Sequence, residues 1–293
     1  MKQLILGILL CLGCQADIAL ATSYAVARGA TPVLNTAAFR SIFGGADGTT
    51  LKTDRCGQVR ELEFIALPGT VFRITATASD RNNTIYRVAT DEYLQPAGSA
   101  LYVDSRFVTV RATQPPPRIR TLPPQTAIIA ALKASIGAPY VWGGDVQAGI
   151  GELVGQFYGG SVPSRDKGRL TLAGLDCSGL LYQATGGGTP RNTSQLISYG
   201  KAVPVAGRSA KEIAGLLKPL DLIVWYGHVI VVLDRDTVIE SRLVCGMKAN
   251  AGVVTTSLQR RLAEIMRTRR PVDQWPAAAK QRDAFVVRRW YRL

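Results

Sequence analysis

The chain has 293 residues, of which 47% are hydrophobic. That is enough to bury one or two compact cores, and too apolar for a disordered protein. A formal charge of +14 points to anionic partners, but no nucleic-acid motif accompanies it. A single histidine, and no Cys-x-x-Cys pair beyond Cys11-Leu12-Gly13-Cys14 near the start, argue against a zinc centre, so no metal and no cofactor is expected.

The first residues read as an export signal: Lys2, an apolar run at 4–12, then Ala19-Leu20-Ala21 as a cleavage site. This makes 1–21 a signal peptide and places the mature chain in the periplasm or cell envelope. A second reading is open, in which Leu12-Gly13-Cys14 ends a lipoprotein signal and Cys14 is acylated. Five cysteines are encoded, and removal of the leader leaves Cys56, Cys177 and Cys245. An odd number in an oxidising compartment means that at least one thiol stays free or pairs between chains, and Cys56 could pair with Cys245.

Residues 30–113 read as all-β. Apolar runs at 62–67 and 71–77 flank the turn Pro68-Gly69, and further strands are expected at 85–88 and 101–110. Short strands at this spacing predict a small barrel. Pro115 to Pro117 and Pro123-Pro124 mark an extended linker at 114–125. The remainder, 126–293, opens with a helix that Thr126 can cap, with Ile129, Leu132 and Ile136 on one face and Gly137 as its stop. A second helix starts at Cys177, with Leu180, Leu181 and Ala184 as its stripe. Strands follow at 222–226, 228–233 and 237–240. Helices first and strands after give an α+β class. Residues 257–293 carry nine Arg and one Lys against Glu264, Asp273 and Asp283. This basic end suits an anionic cell-envelope surface, or is simply a solvated helix face.

Cys177 follows Asp176, a good N-cap, and so falls in a first helical turn where free N–H groups and the helix dipole favour a thiolate. The same N–H groups can receive an oxyanion. His228 is the one side chain that offers a base near neutral pH. If Leu233 pairs with Thr237 across the turn Asp234-Arg235-Asp236, Ile230 faces Glu240. His228 and Glu240 then share one face as diagonal neighbours, and Glu240 can orient the imidazole. A two-residue loop would present Ser241 instead.

At these residues the chain resembles the NlpC-type cell-wall peptidases, which have a papain-like fold. The resemblance covers about 126–240 and rests on five ordered blocks: Gly137-Ala138-Pro139-Tyr140-Val141-Trp142-Gly143-Gly144, Asp176-Cys177-Ser178-Gly179, Pro190-Arg191-Asn192-Thr193-Ser194-Gln195, Lys218-Pro219-Leu220-Asp221 and Gly227-His228-Val229. It implies Cys177, His228 and Glu240 as the catalytic residues. Tyr140 is implied beside the nucleophile, and Asp176, Ser178 and Arg191 are implied to bind the stem peptide. Trp142 reads as core. The third catalytic position is usually His, Asn or Gln, and here it is Glu. Leu220 stands where the family has Gly. The 31 residues at 145–175 form an insertion, with the length of a lid or binding loop. The N-terminal part resembles a bacterial Src-homology-3-like module, a kind that holds such enzymes on the wall. Together these imply a peptidoglycan endopeptidase cutting between γ-D-glutamate and the diamino acid, with peptidoglycan stem peptides as partner. An N-acetylmuramoyl-L-alanine amidase and an inactive cell-wall-binding protein are the alternatives.

Overall fold

Period-two alternation builds the first lobe. In the long strand Val71–Asp80, exposed and covered residues alternate almost throughout, so one face of the strand looks inward. The computed structural model describes residues 23–246, 251–276 and 283–291. The expected leader with Cys14 lies outside these. Seven antiparallel strands form the sheet, in the order Leu62–Ala66, Thr31–Leu34, Leu101–Asp104, Asn83–Ala89, Val71–Asp80, Ser23–Ala27, Val108–Arg111. No pairing joins its two ends among the described residues.

The run expected as one strand at 101–110 is two strands in different parts of the sheet. Asp104 accepts a hydrogen bond from the Arg106 amide and sets a 3-10 turn, Ser105–Phe107, which redirects the chain. One sheet face buries Ala25, Val33, Phe64, Phe72 and Val103. The other buries Leu34, Leu62, Ile65 and Ile85 against a core that this lobe does not complete alone.

That second core is completed by the 145–175 insertion. The segment is no open loop. It folds into the short helices Leu153–Phe157 and Ser164–Leu170, and it packs Ile150, Leu153, Phe157 and Leu170 against Phe39, Phe43 and Phe107 of the first lobe. Phe157 meets the Phe43 ring at 5.3 Å and lies under the Arg106 guanidinium at 4.4 Å. The linker is likewise bound. Arg118 grips Glu92 of the first lobe and the Gly186 carbonyl at the end of the Cys177–Ala184 helix, whose Tyr182 hydroxyl donates to Glu92 at 2.8 Å. Cys56 and Cys245, 189 residues apart, form a disulfide across the lobes, and Cys177 is the free thiol among the described residues.

The second lobe is a mixed sheet with helices on both faces. Its strand order is Lys201–Ala202, Ala284–Arg289, Leu222–Trp225, His228–Val232, Thr237–Arg242, Gly252–Ser257, and Arg270–Pro271 pairs in parallel with Ala284–Arg289. The Cys177–Ala184 and Gln125–Ala134 helices cover one face. Ala210–Leu216 and Leu258–Ile265 cover the other. Pro124, not Thr126, precedes the Gln125–Ala134 helix, and no side chain caps it.

The basic C-terminal end is built into this fold in part, while Arg260, Arg267 and Arg270 stay exposed. Ala284–Arg289 lies inside the sheet, Arg288 donates to the Ile197 carbonyl, and Arg289 pairs with Asp221 at 2.6 Å. Leu220 adopts a left-handed φ of 71°, which costs a branched residue but not glycine. Its burial and the 2.7 Å hydrogen bond from Trp290 to its carbonyl hold it there. Among the described residues no helix is long and apolar enough to cross a membrane.

Because the lobes share one core, Phe157→Ala should cost about 3–5 kcal/mol of stability. Denaturant unfolding followed separately by near-UV circular dichroism and tryptophan fluorescence should shift as one transition. Two separated transitions would show that the lobes unfold independently.

Candidate functional site

Three local devices place the site. The first is the cap of the cysteine helix. Asp176 accepts the Gly179 amide at 2.6 Å, which leaves the Cys177 and Ser178 amides without an acceptor among the described residues. Gly179 is required here because a methyl group would overlap the Gly144 carbonyl. The second is a tight hairpin that presents His228. Trp225 pairs with His228, so the turn is Tyr226-Gly227, and Gly227 takes a φ of 89° that only glycine adopts freely. The Gly227 amide donates to Thr193 Oγ1 at 3.1 Å, and the Gly227 carbonyl lies 3.8 Å from Cys177 Sγ. The third is the strand register. Val231 faces Ile239 and Val232 faces Val238, which puts Ile230 opposite Glu240 and brings Glu240 to the His228 face.

His228 Nε2 and Glu240 Oε2 are 2.7 Å apart, which leaves the other ring nitrogen for the Cys177 side chain. Burial disfavours the imidazolium. The hydrogen bond with Cys177, then that with Glu240 and the charges of both, outweigh burial and raise His228 from 6.5 to about 9. Glu240 is buried as well, yet His228 and Arg261 hold its carboxyl below the usual range. Arg261 grips both oxygens, Nε to Oε1 at 2.7 Å and Nη2 to Oε2 at 2.9 Å. Arg261 lies on the Leu258–Ile265 helix, outside the five sequence blocks. Its spacing of three from Leu258 and four from Ile265, both buried, is the signal that puts it on an inward face.

Tyr140 stands against Asp176 and Cys177. Burial and these two charges raise its phenol far above the ordinary value, so it stays a proton donor. Tyr140, Asp176, Cys177, Ser178 and Arg191 all line one cleft of about 280 Å³. Asp176, Ser178 and Arg191 already have partners within the protein. Arg191 is 3% exposed and donates to Asp145 Oδ2 at 2.8 Å, to Asp176 Oδ2 at 2.6 Å and to Ser178 Oγ at 2.8 Å. Burial pushes Asp145 up to about 7 even with Arg191 beside it. Trp142 is not core. It is 40% exposed, lines the cleft, and carries the Arg60 guanidinium over its ring at 4.5 Å.

The first lobe also contributes to the cleft, through Glu63 and Tyr93, which no sequence block marked. Tyr93 donates to Glu63 at 2.6 Å and Asn35 donates to it at 2.9 Å. Among the described residues no three His, Cys, Asp or Glu side chains gather as a metal site.

The chain has one histidine, so the titrating ring-proton resonances by NMR belong to that residue alone, and its Hε1 resonance reports it. That resonance should titrate near 9, and Glu240→Gln should lower it toward 6.5, because the neutral amide no longer stabilises the imidazolium. A mid-point near 6.5 in the unaltered protein would contradict the geometry.

No family model and no curated protein matches the chain. Among solved structures it is similar to an NlpC/P60 family protein from Bacillus cereus, with a TM-score of 0.32 and 16% identity. That match covers 92% of this chain and 64% of the other, so this chain spans less than two thirds of that protein's length. It is also similar to RipD from Mycobacterium tuberculosis, a non-catalytic NlpC/p60 domain protein described as adapted to peptidoglycan binding. The TM-score is 0.29 and the identity 21%, over 44% of this chain and 92% of that one.

Proposed function

We propose that the protein is a cysteine endopeptidase of peptidoglycan stem peptides, cutting between γ-D-glutamate and the diamino acid. The observation that carries this reading is the set Cys177, His228 and Glu240, with the 2.7 Å contact between the last two and with Cys177 lining a cleft at a capped helix start. Cys177 Sγ attacks the amide carbonyl, and the carbonyl oxygen takes the charge. The Cys177 and Ser178 amides and the Tyr140 hydroxyl serve as its donors in this proposal. His228 gives its proton to the leaving amine as the C–N bond breaks, which leaves a thioester on Cys177. Water then attacks the thioester and passes a proton to His228, and the sulfur departs with its electron pair. Glu240, fixed by Arg261, holds the ring and its charge throughout.

Glu63 favours the endopeptidase over the amidase. Its named partners, Asn35 and the Tyr93 hydroxyl, are both neutral, so it sets a negative charge in the cleft wall. Such a wall suits a free amino terminus. The amidase substrate has no such group, because its stem is acylated by the muramoyl unit. The intact Cys177, His228 and Glu240 set speaks against an inactive binding protein. Export to the envelope and retention on the wall by the first lobe are part of the same proposal and rest on sequence.

The test is digestion of free stem peptides and purified sacculi, read by mass spectrometry. Fragments cut within free stems, absent with Cys177→Ala, are expected. Release of whole stems from glycan would make the protein an amidase, and no cleavage of any wall substrate would sink the proposal. Glu63→Gln should raise KM for stems with a free amine by about tenfold, the loss of one charge-assisted contact. Stems whose amine is acetylated should not feel that change.

A further inference from the structure

A second cavity, of about 320 Å³, adjoins the cleft on the side of the insertion. It is lined by Gln58 and Val59 of the first lobe, by Tyr140, and by Arg165 and Arg169 of the insertion. Tyr140 lines both cavities and lies close to Cys177, so the second space adjoins the site through this residue. We propose that this second cavity is a carboxylate-binding subsite for the leaving half of the stem peptide, with Arg165 and Arg169 as its cationic groups. The inference rests on the peptidase reading of Cys177 and names what that reading leaves open: the chemistry recognised beyond the scissile bond.

The charges there are in excess. The Ser164–Leu170 helix carries Arg165, Lys167 and Arg169 against one acid, Asp166. Asp166 is 3.5 Å from Arg165 and 3.9 Å from Arg169, so a single carboxylate is shared loosely by two guanidiniums that are 87% and 52% exposed. A loosely paired guanidinium in a concave site is free to grip an incoming carboxylate in a bidentate way.

The walls of the cavity are fixed. Leu170 and Leu172 anchor the basic helix in the shared core. Opposite, Asp54 holds the Cys56 amide at 2.7 Å and the Gln58 amide at 2.9 Å, Gln58 Oε1 accepts the Trp142 amide at 2.8 Å, and the Cys56–Cys245 disulfide ties that loop to the second lobe. A subsite between two held walls keeps its geometry before the ligand arrives, which lowers the cost of binding. Glu63 lines the first cavity and the arginines line the second, so the two adjoining spaces carry opposite charges. A short free stem peptide, with an amine at its start and carboxylates on its diamino acid, has the matching polarity.

Two stem peptides that differ only in the leaving half, with its carboxylate free or amidated, test the assignment. Binding to full-length Cys177→Ala protein is read by calorimetry, and cleavage by the unaltered protein is read in parallel. The carboxylate peptide should bind about tenfold or more tightly than the amide, the worth of one charge-assisted contact. Arg165→Gln with Arg169→Gln should erase that preference, and circular dichroism should match the parent because both side chains are exposed. Equal binding of the two peptides by the parent, or a preference that survives the double change, would overturn the subsite. A carboxylate preference in binding with no cleavage of either peptide would overturn the peptidase reading and leave the subsite standing.

Discussion

A buried guanidinium underlies the site. Arg191 is nearly inaccessible and bonds to Asp176, the cap of the cysteine helix, to Ser178 within its first turn, and to Asp145, where the insertion leaves the Gly-Gly turn. One cation therefore fixes the helix start, the nucleophile's neighbours and the root of the insertion. Removing one partner from such a group strands a charge in the interior, at about 3–5 kcal/mol. Arg191 sets the positions on which Cys177 depends, and with Asp176 and Ser178 it also lines the cleft. A comparable network holds the base. Arg261 fixes Glu240, Glu240 fixes His228, and Ser241 on the same strand donates to the Leu175 carbonyl two residues before Cys177. Nucleophile and base are thereby referenced to one another through backbone, not only across the cleft.

The cleft exists only because the lobes are locked together. Shared aromatic packing around Phe157, the Arg118–Glu92–Tyr182 cluster and the Cys56–Cys245 disulfide act at three separate places on the interface. The first lobe lends Glu63 and Tyr93 to the cleft, and Arg60 to the ring of Trp142. Retention on a wall and shaping of a cleft are not exclusive, but only the second has named contacts here.

Much of the site was legible because it rests on local rules. Asp176 before Cys177 is a cap by residue type, and the shared face of His228 and Glu240 follows from the period of a strand and the length of its turn. What stayed hidden depends on long-range docking. Arg261 meets Glu240 only once a helix 21 residues further on packs across the sheet. Glu63, Tyr93 and the exposed Trp142 follow from how two lobes meet, which no periodicity encodes. The apolar run of Ala284–Arg289 is short and closes on arginines, so charge masked a strand that lies inside the sheet. At 101–110 a single Asp104 side chain outweighed continuous β-propensity.

In the proposed function Cys177 is a nucleophile held by His228 at a cleft that takes a stem peptide. The most direct measurement is intact-protein mass spectrometry after exposure to a stem peptide whose scissile amide is replaced by a thiol-reactive electrophile. A single adduct is expected, located at Cys177, formed slowly when His228 is replaced by alanine and blocked by excess unmodified stem peptide. Labelling that proceeds equally fast without His228, or that free stem peptide does not slow, would contradict it.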